Sequence, residues 1–197
     1  MAECAQDSAR FRPSADREYS DDERRRLIEL AHQVIDAALA GKHLGLTPPS
    51  EHLAQHRGAF TTLHLHGRLR GCVGYVQPAY PVWRTVAETA IAAAFYDTRF
   101  PPVTAEEAPG LEIEISVLSP AFPIRPQDIE AGRHGLIVTK DNQRGLLLPQ
   151  VATEHGWNSE MLLAQTCMKA GLAPDAWQHG AELEAFTAEV FGEAELG

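Results

Sequence analysis

The chain predicts an α+β fold, and three observations carry that prediction. Residues 111–119 alternate apolar and polar side chains without a break, the period of a half-buried strand. Two further extended pairs, 58–65 with 68–75 and 135–139 with 145–148, are separated by short turn-forming segments and read as hairpins. Helical stripes lie between these strands without a regular strand–helix–strand rhythm, so antiparallel sheets with flanking helices are expected.

Residues 1–19 are polar and aperiodic and read as a flexible N-terminal arm that becomes ordered near Tyr19. Ser20 opens a helix, because Glu23 follows at capping-box spacing. Leu27, Leu30, Ala31, Val34, Ile35, Ala38 and Leu39 then recur on one face until Gly41. Residues 42–57 carry Gly45, Pro48 and Pro49 and predict a loop, with a short helical turn near 51–55. The first hairpin turns at His66-Gly67, with Phe60, Thr62 and His64 on one face and Thr61, Leu63 and Leu65 on the other. Pro81 suits a first helical turn, and Val82, Val86, Ala90 and Ala93 continue an alanine-rich stripe that permits close packing. Leu111, Ile113, Ile115 and Val117 form the apolar face of the alternating strand. The second hairpin turns at Asp141-Asn142-Gln143, Asn158 caps a helix ending at Gly171, and residues 185–191 return as a strand.

The chain has 197 residues and 44% hydrophobic content, enough for one sizeable core or for a main core with a smaller lobe. Seventeen basic against twenty-seven acidic side chains give a formal charge of -10, which opposes binding to nucleic acid and to anionic membrane surfaces. Cys4, Cys72 and Cys167 show no zinc-type spacing, and an odd count argues against a disulfide framework. No signal peptide or spanning apolar run is read, so a cytoplasmic protein is expected. Neither a P-loop nor a dinucleotide fingerprint is present, and no cofactor is expected.

The chemistry-bearing stretch is Leu69-Arg70-Gly71-Cys72-Val73-Gly74. In an extended strand Arg70 and Cys72 share a face, so the guanidinium would favour the thiolate; the alternative is that Cys72 fills a small apolar gap where a glycine bulge turns the strand. Gly71 and Gly74 would allow neighbouring amides to converge into an anion-binding nest, and Arg70 would hold an anionic ligand. A cysteine nucleophile needs a base, for which His134 is the candidate, and Glu112 with Glu114 offers paired carboxylates on one strand face. Asp97 and Arg99 read as an ion pair, and Arg99 is also a candidate ligand contact. His64 and His66 read as a solvated hairpin face rather than metal ligands, and no metal site is expected.

These pieces together resemble the AMMECR domain family, whose prokaryotic members are AmmeMemoRadiSam system protein A. The resemblance runs from about Ser20 to Glu193. Its signature is Leu69-Arg70-Gly71-Cys72-Val73-Gly74, preceded by Gly58-Ala59-Phe60-Thr61-Thr62-Leu63 and followed by Asp97-Thr98-Arg99-Phe100-Pro101-Pro102. The strand from Leu111 to Ser119, His134-Gly135-Leu136, the stretch from Gly145 to Val151, Cys167-Met168-Lys169-Ala170-Gly171-Leu172 and Ala188-Glu189-Val190-Phe191 follow in order. Thr98 stands where the family commonly has proline, and Val73 where it has isoleucine. The resemblance implies one domain over 20–197, with a larger and a smaller lobe around a cleft that the motif faces. It also implies partnership with a Memo-like protein and a radical S-adenosylmethionine enzyme. The functional expectation is a thiol enzyme or substrate-handling component of that system, with Cys72, His134 and Glu112 catalytic and Arg70, Gly71, Gly74 and Arg99 binding a small anionic substrate. The alternative is a non-catalytic binding or adaptor module.

Overall fold

The computed structural model describes residues 2–3, 17–42, 44–45, 47 and 50–196. Most of the stretch read as an arm, residues 4–16, lies outside the described residues. The chain divides into two compact units, Met1–Leu118 with Glu189–Gly197, and Ser119–Ala188 between them.

The first unit holds a five-stranded sheet in the order β1-β3-β2-β4-β9, with β1 at Ala2–Glu3, β2 at Ala59–Leu65, β3 at Arg68–Tyr75, β4 at Leu111–Leu118 and β9 at Ala188–Gly192. Helices α1 (Asp21–Leu39) and α2 (Val82–Phe95) supply its other layer. The predicted capping box is formed: Ser20 Oγ accepts the Glu23 amide at 3.3 Å and the Glu23 carboxylate accepts the Ser20 amide at 3.0 Å. The apolar stripe of α1 buries Leu27, Ala31 and Ile35 against Ile113, Ile115 and Phe191 of the sheet and Val82, Val86 and Ala90 of α2. Each such large apolar side chain contributes roughly 1.5–3 kcal/mol on burial. A buried hydroxyl pair, Thr61 Oγ1 to Thr89 Oγ1 at 2.8 Å, fastens β2 to α2. Because Thr89 already donates to the Thr85 carbonyl, Thr61 is the donor in that pair.

The first hairpin turns as expected. His66 and Gly67 both have positive φ, 52° and 72°, the requirement of a two-residue turn matched to strand twist. The short turn expected near 51–55 is a single one: the Ala54 amide donates to the Ser50 and Glu51 carbonyls and the Gln55 amide to the His52 carbonyl, with no regular helix beyond it.

The second unit is a four-stranded sheet ordered β5-β8-β6-β7, with β5 at Phe122–Pro123, β6 at Gly135–Lys140, β7 at Gln143–Leu147 and β8 at Glu182–Phe186. Its helices are α3 (Pro149–His155) and α4 (Ser159–Lys169), and α4 is capped by Asn158 accepting the Met161 amide. A final short helix, α5, covers Glu193–Leu196 of the first unit. Leu136, Leu162, Leu163 and Ala152 centre the second unit's core. Cys167 sits in a smaller cluster with Val138 and Ala176, where burial pushes its thiol pKa up.

Two expectations need correction, and one element is additional. The second hairpin turns on two residues, Asp141 and Asn142, because Asp141 takes positive φ and Gln143 already pairs with Lys140. Helix α3 was unforeseen, since its seven residues are too few to show a period. The apolar alternation at 185–191 is two strands, because β8 pairs with β6 in one sheet and β9 lies beside β4 in the other. The break falls at Thr187, whose amide donates to Ser119 Oγ and whose carbonyl accepts the Ser119 amide, both at 2.9 Å.

Strand β9 is fixed by a buried charge. Glu189 accepts Nε and Nη2 of Arg24 and the amides of Glu18 and Tyr19, while the Arg24 guanidinium lies 5.5 Å from the Phe191 ring centre. Truncating one member strands the other charge without solvent, so Arg24→Ala or Glu189→Ala is expected to lower unfolding free energy by about 3–5 kcal/mol in urea titration. The double change Arg24→Met with Glu189→Leu is expected to recover only part of that loss, because the amides of Glu18 and Tyr19 lose their acceptor.

Candidate functional site

The glycine–cysteine motif lies on β3, and its geometry starts from an irregularity. After the turn, Leu65 faces Arg68 and His64 faces Leu69, but Leu63 then faces Gly71. Arg70 is the extra residue of a β-bulge. The slip moves Cys72 opposite Thr62, whereas an unbroken hairpin would set it opposite core-facing Thr61. The expected alternation of Arg70 and Cys72 on one face therefore fails, because the run between them is not regular.

The bulge sends Gly71 and Val73 toward α2. A Cβ on Gly71 would overlap the carbonyl oxygen of Ala93, and one on Gly74 would overlap the Phe60 ring. Neither glycine has positive φ. The expected nest is thus corrected: these glycines permit close approach of a helix and an aromatic ring, and do not curl amides around an anion.

Cys72 is 2% exposed, and Thr62 Oγ1 donates to its sulfur at 3.2 Å. Its backbone amide donates to Asp97 Oδ2 at 2.9 Å, and its carbonyl accepts Arg99 Nη2 at 3.2 Å. Both backbone groups thus point away from β2, which makes Thr62–Cys72 the closer, non-hydrogen-bonded type of cross-strand pair. At Cys72 the Asp97 and Arg99 side chains take up the backbone groups of this edge, beside Val73 and Gly74, where β1 pairs with β3. They also pair with each other, Nε to Oδ1 at 2.9 Å and Nη2 to Oδ2 at 2.7 Å. The Arg99 guanidinium, helped by the Cys72 amide, holds Asp97 down at a pKa of about 2.

Arg70 reaches a different partner. Its Nε and Nη2 engage both oxygens of Glu107 at 3.0 and 2.9 Å, and Nη2 also meets the Pro102 carbonyl at 3.3 Å. Arg70 and the Thr104 amide keep the Glu107 pKa below its ordinary value. Arg70 is 8% exposed, yet its Nη1 has no hydrogen-bond partner among the described residues.

Glu112 is exposed on β4 and faces His64, in the cross-strand row that ends at Leu69. Glu114 is the carboxylate in the row of Thr62 and Cys72. His134 belongs to the second unit, where it immediately precedes β6. Its Nδ1 accepts the Glu130 amide at 3.0 Å, so the neutral ring carries its proton on Nε2, and Phe122 lies edge-on at 6.1 Å. No group of three metal-ligating side chains occurs among the described residues. Two participants, Thr62 and Glu107, have no signal in the sequence, and a third, Glu114, has a weak one. Thr62 was hidden by the one-residue slip, Glu107 lies in a loop with no motif signal, and Glu114 was read only as a companion of Glu112.

Fold and site define a two-unit α+β protein whose bulged Gly–Cys strand is clasped by an Asp–Arg loop. The AMMECR1 family model matches residues 28–191, and the chain belongs to that family. A protein of Methanothermobacter thermautotrophicus is 44% identical over 184 residues, covering 88% of this chain and 96% of its own length. One from Methanocaldococcus jannaschii is 42% identical over 178 residues, covering 85% and 89%. The crystal structure of an uncharacterized Pyrococcus horikoshii protein aligns with a TM-score of 0.66 at 42% identity, over 85% of this chain and 89% of that one. No helix among the described residues is long and apolar enough to cross a membrane.

Two outcomes test the clasp. Asp97 is depressed in the folded state, so its contribution is complete above about pH 4 and is lost as pH falls through about 2, on the order of 2 kcal/mol in all. Asp97→Asn is expected to be less stable at pH 7 and to flatten the stability–pH slope across that window in urea titrations. Gly71→Ala, which drives a methyl into helix backbone, is expected to lower stability by about 2–4 kcal/mol. An unchanged unfolding midpoint would remove the close-approach explanation.

Proposed function

We propose that the protein is a substrate-handling module rather than a thiol enzyme. In this reading Arg70 takes an oxygen of a small anionic ligand, and the protein works alongside a Memo-like protein and a radical S-adenosylmethionine enzyme. The observation that carries it is the buried, unpartnered Nη1 of Arg70. A buried donor left unmade costs about 1–3 kcal/mol, and a carboxylate or phosphate oxygen is the complementary acceptor for a guanidinium. Glu107, whose side chain is 28% exposed, is then the internal carboxylate with which a ligand competes. The nucleophile reading has less support, since Cys72 is buried and His134 Nδ1 is engaged by a backbone amide. Membership of the family, with its resemblance to AmmeMemoRadiSam system protein A, supports the choice of partners.

Inorganic phosphate and malonate serve as probes, followed by thermal shift and by the Arg70 Nε–H resonance. Saturable binding is expected in the wild type, roughly tenfold tighter in Glu107→Gln and absent in Arg70→Lys. No saturable response in either wild type or Glu107→Gln would overturn the ligand assignment. Co-expression with the two partner types tests the association separately, and recovery of neither would remove it.

A further inference from the structure

Away from the motif, α1 and α2 leave an apolar trough in the first unit. One cavity of about 540 Å³ is walled by Tyr75, Trp83 and Tyr96, with Ala87 and Ala92 among its lining. A second, of about 420 Å³, continues along the C-terminal end of α1 past Ala37 and Ala38 to Lys42. Val34, Leu44 and Ile91 line both, so the two lie side by side along one open trough. The depth has a sequence cause. Alanines on the facing helices keep the floor low, while aromatic and branched side chains raise the walls. Leu44 is 43% and Tyr96 67% exposed, so apolar rim surface faces solvent along this trough. Each volume falls in the range of small-molecule sites.

Charge distinguishes the ends. Beside Tyr75 and Trp83, Arg84 is neutralised by Glu88 at 2.8 Å and lies over the Tyr80 ring. At the other end, Lys42 has no ion pair among the described residues, in a chain whose formal charge is -10. An apolar trough with one uncompensated cation at one end is complementary to a molecule with an apolar tail and a single anionic head. We propose that the α1–α2 trough binds a medium-chain acyl carboxylate, head at Lys42 and tail along Ile91 toward Trp83 and Tyr75. This site is independent of the Arg70 reading.

Decanoate below its micellar concentration is the probe, with decanol and decylammonium as charge controls, measured by calorimetry and by resonances of Ile91 and Trp83. Saturable one-to-one binding of decanoate is expected, with decanol weaker and decylammonium weakest. Lys42→Glu, an exposed change outside the core, is expected to weaken decanoate about fivefold and to favour decylammonium. Ile91→Gln, with its fold verified by circular dichroism, is expected to abolish binding, and Arg70→Lys to leave it unchanged. Equal affinity for the three probes, indifference to Lys42→Glu, or a self-association at this face that excludes decanoate would each overturn the proposal.

Discussion

The carboxylate of Glu189 joins two parts of the first unit that are distant in sequence, residues 18–24 and strand β9. It is buried, and an isolated buried carboxylate would be strongly disfavoured. Arg24 of α1 neutralises it, and the amides of Glu18 and Tyr19 saturate the second oxygen. One charge therefore specifies where the chain must rejoin the sheet after the whole of the second unit has intervened. A strand shifted by one residue would turn Glu189 away from Arg24 and leave two uncompensated charges, so the pair acts as a register lock as well as a contact.

The motif on β3 depends on that frame and adds a second constraint, the close approach of helix to strand. Removing a side chain at Gly71 lets α2 sit directly on the backbone, and the bulge at Arg70 makes Gly71, rather than a bulky neighbour, face the helix. The same slip turns Cys72 toward Thr62 and aims its amide and carbonyl at the Asp97–Arg99 pair. Nearly every polar group in this region has an internal partner. The exception, one nitrogen of Arg70, consequently stands out against a saturated background, which is why it bears more functional weight than the sulfur.

Local signals were legible in the sequence wherever they acted over a few residues. Ser20 with Glu23, Asn158 with Gly171 and the alternation from Leu111 through Val117 each gave an element at its observed position. What failed depended on partners distant in the chain. The apolar run at 185–191 has no internal sign that its halves join different sheets, since only Ser119, far upstream, engages Thr187. The bulge was legible only as an alternative, since glycines within a strand can mark one: the His66-Gly67 turn fixes the first pairs, and the slip arises further along, where α2 packs on β3. The motif itself was conspicuous. Its glycines were misread because conformational freedom and lack of bulk look identical in a sequence, and only the Ala93 carbonyl decides between them.

The Ser119–Thr187 pairing bears on the order in which the chain can assemble. It holds the two ends of the intervening unit side by side. If residues 119–188 collapse first, β4 and β9 are delivered to each other as though linked by a short turn. The loop-closure entropy of that long excursion is then already met within the inserted unit, easing the final strand addition by about 3 kcal/mol. In that case the order of events runs inside out along the chain, and the outer segments close around a junction only two residues wide.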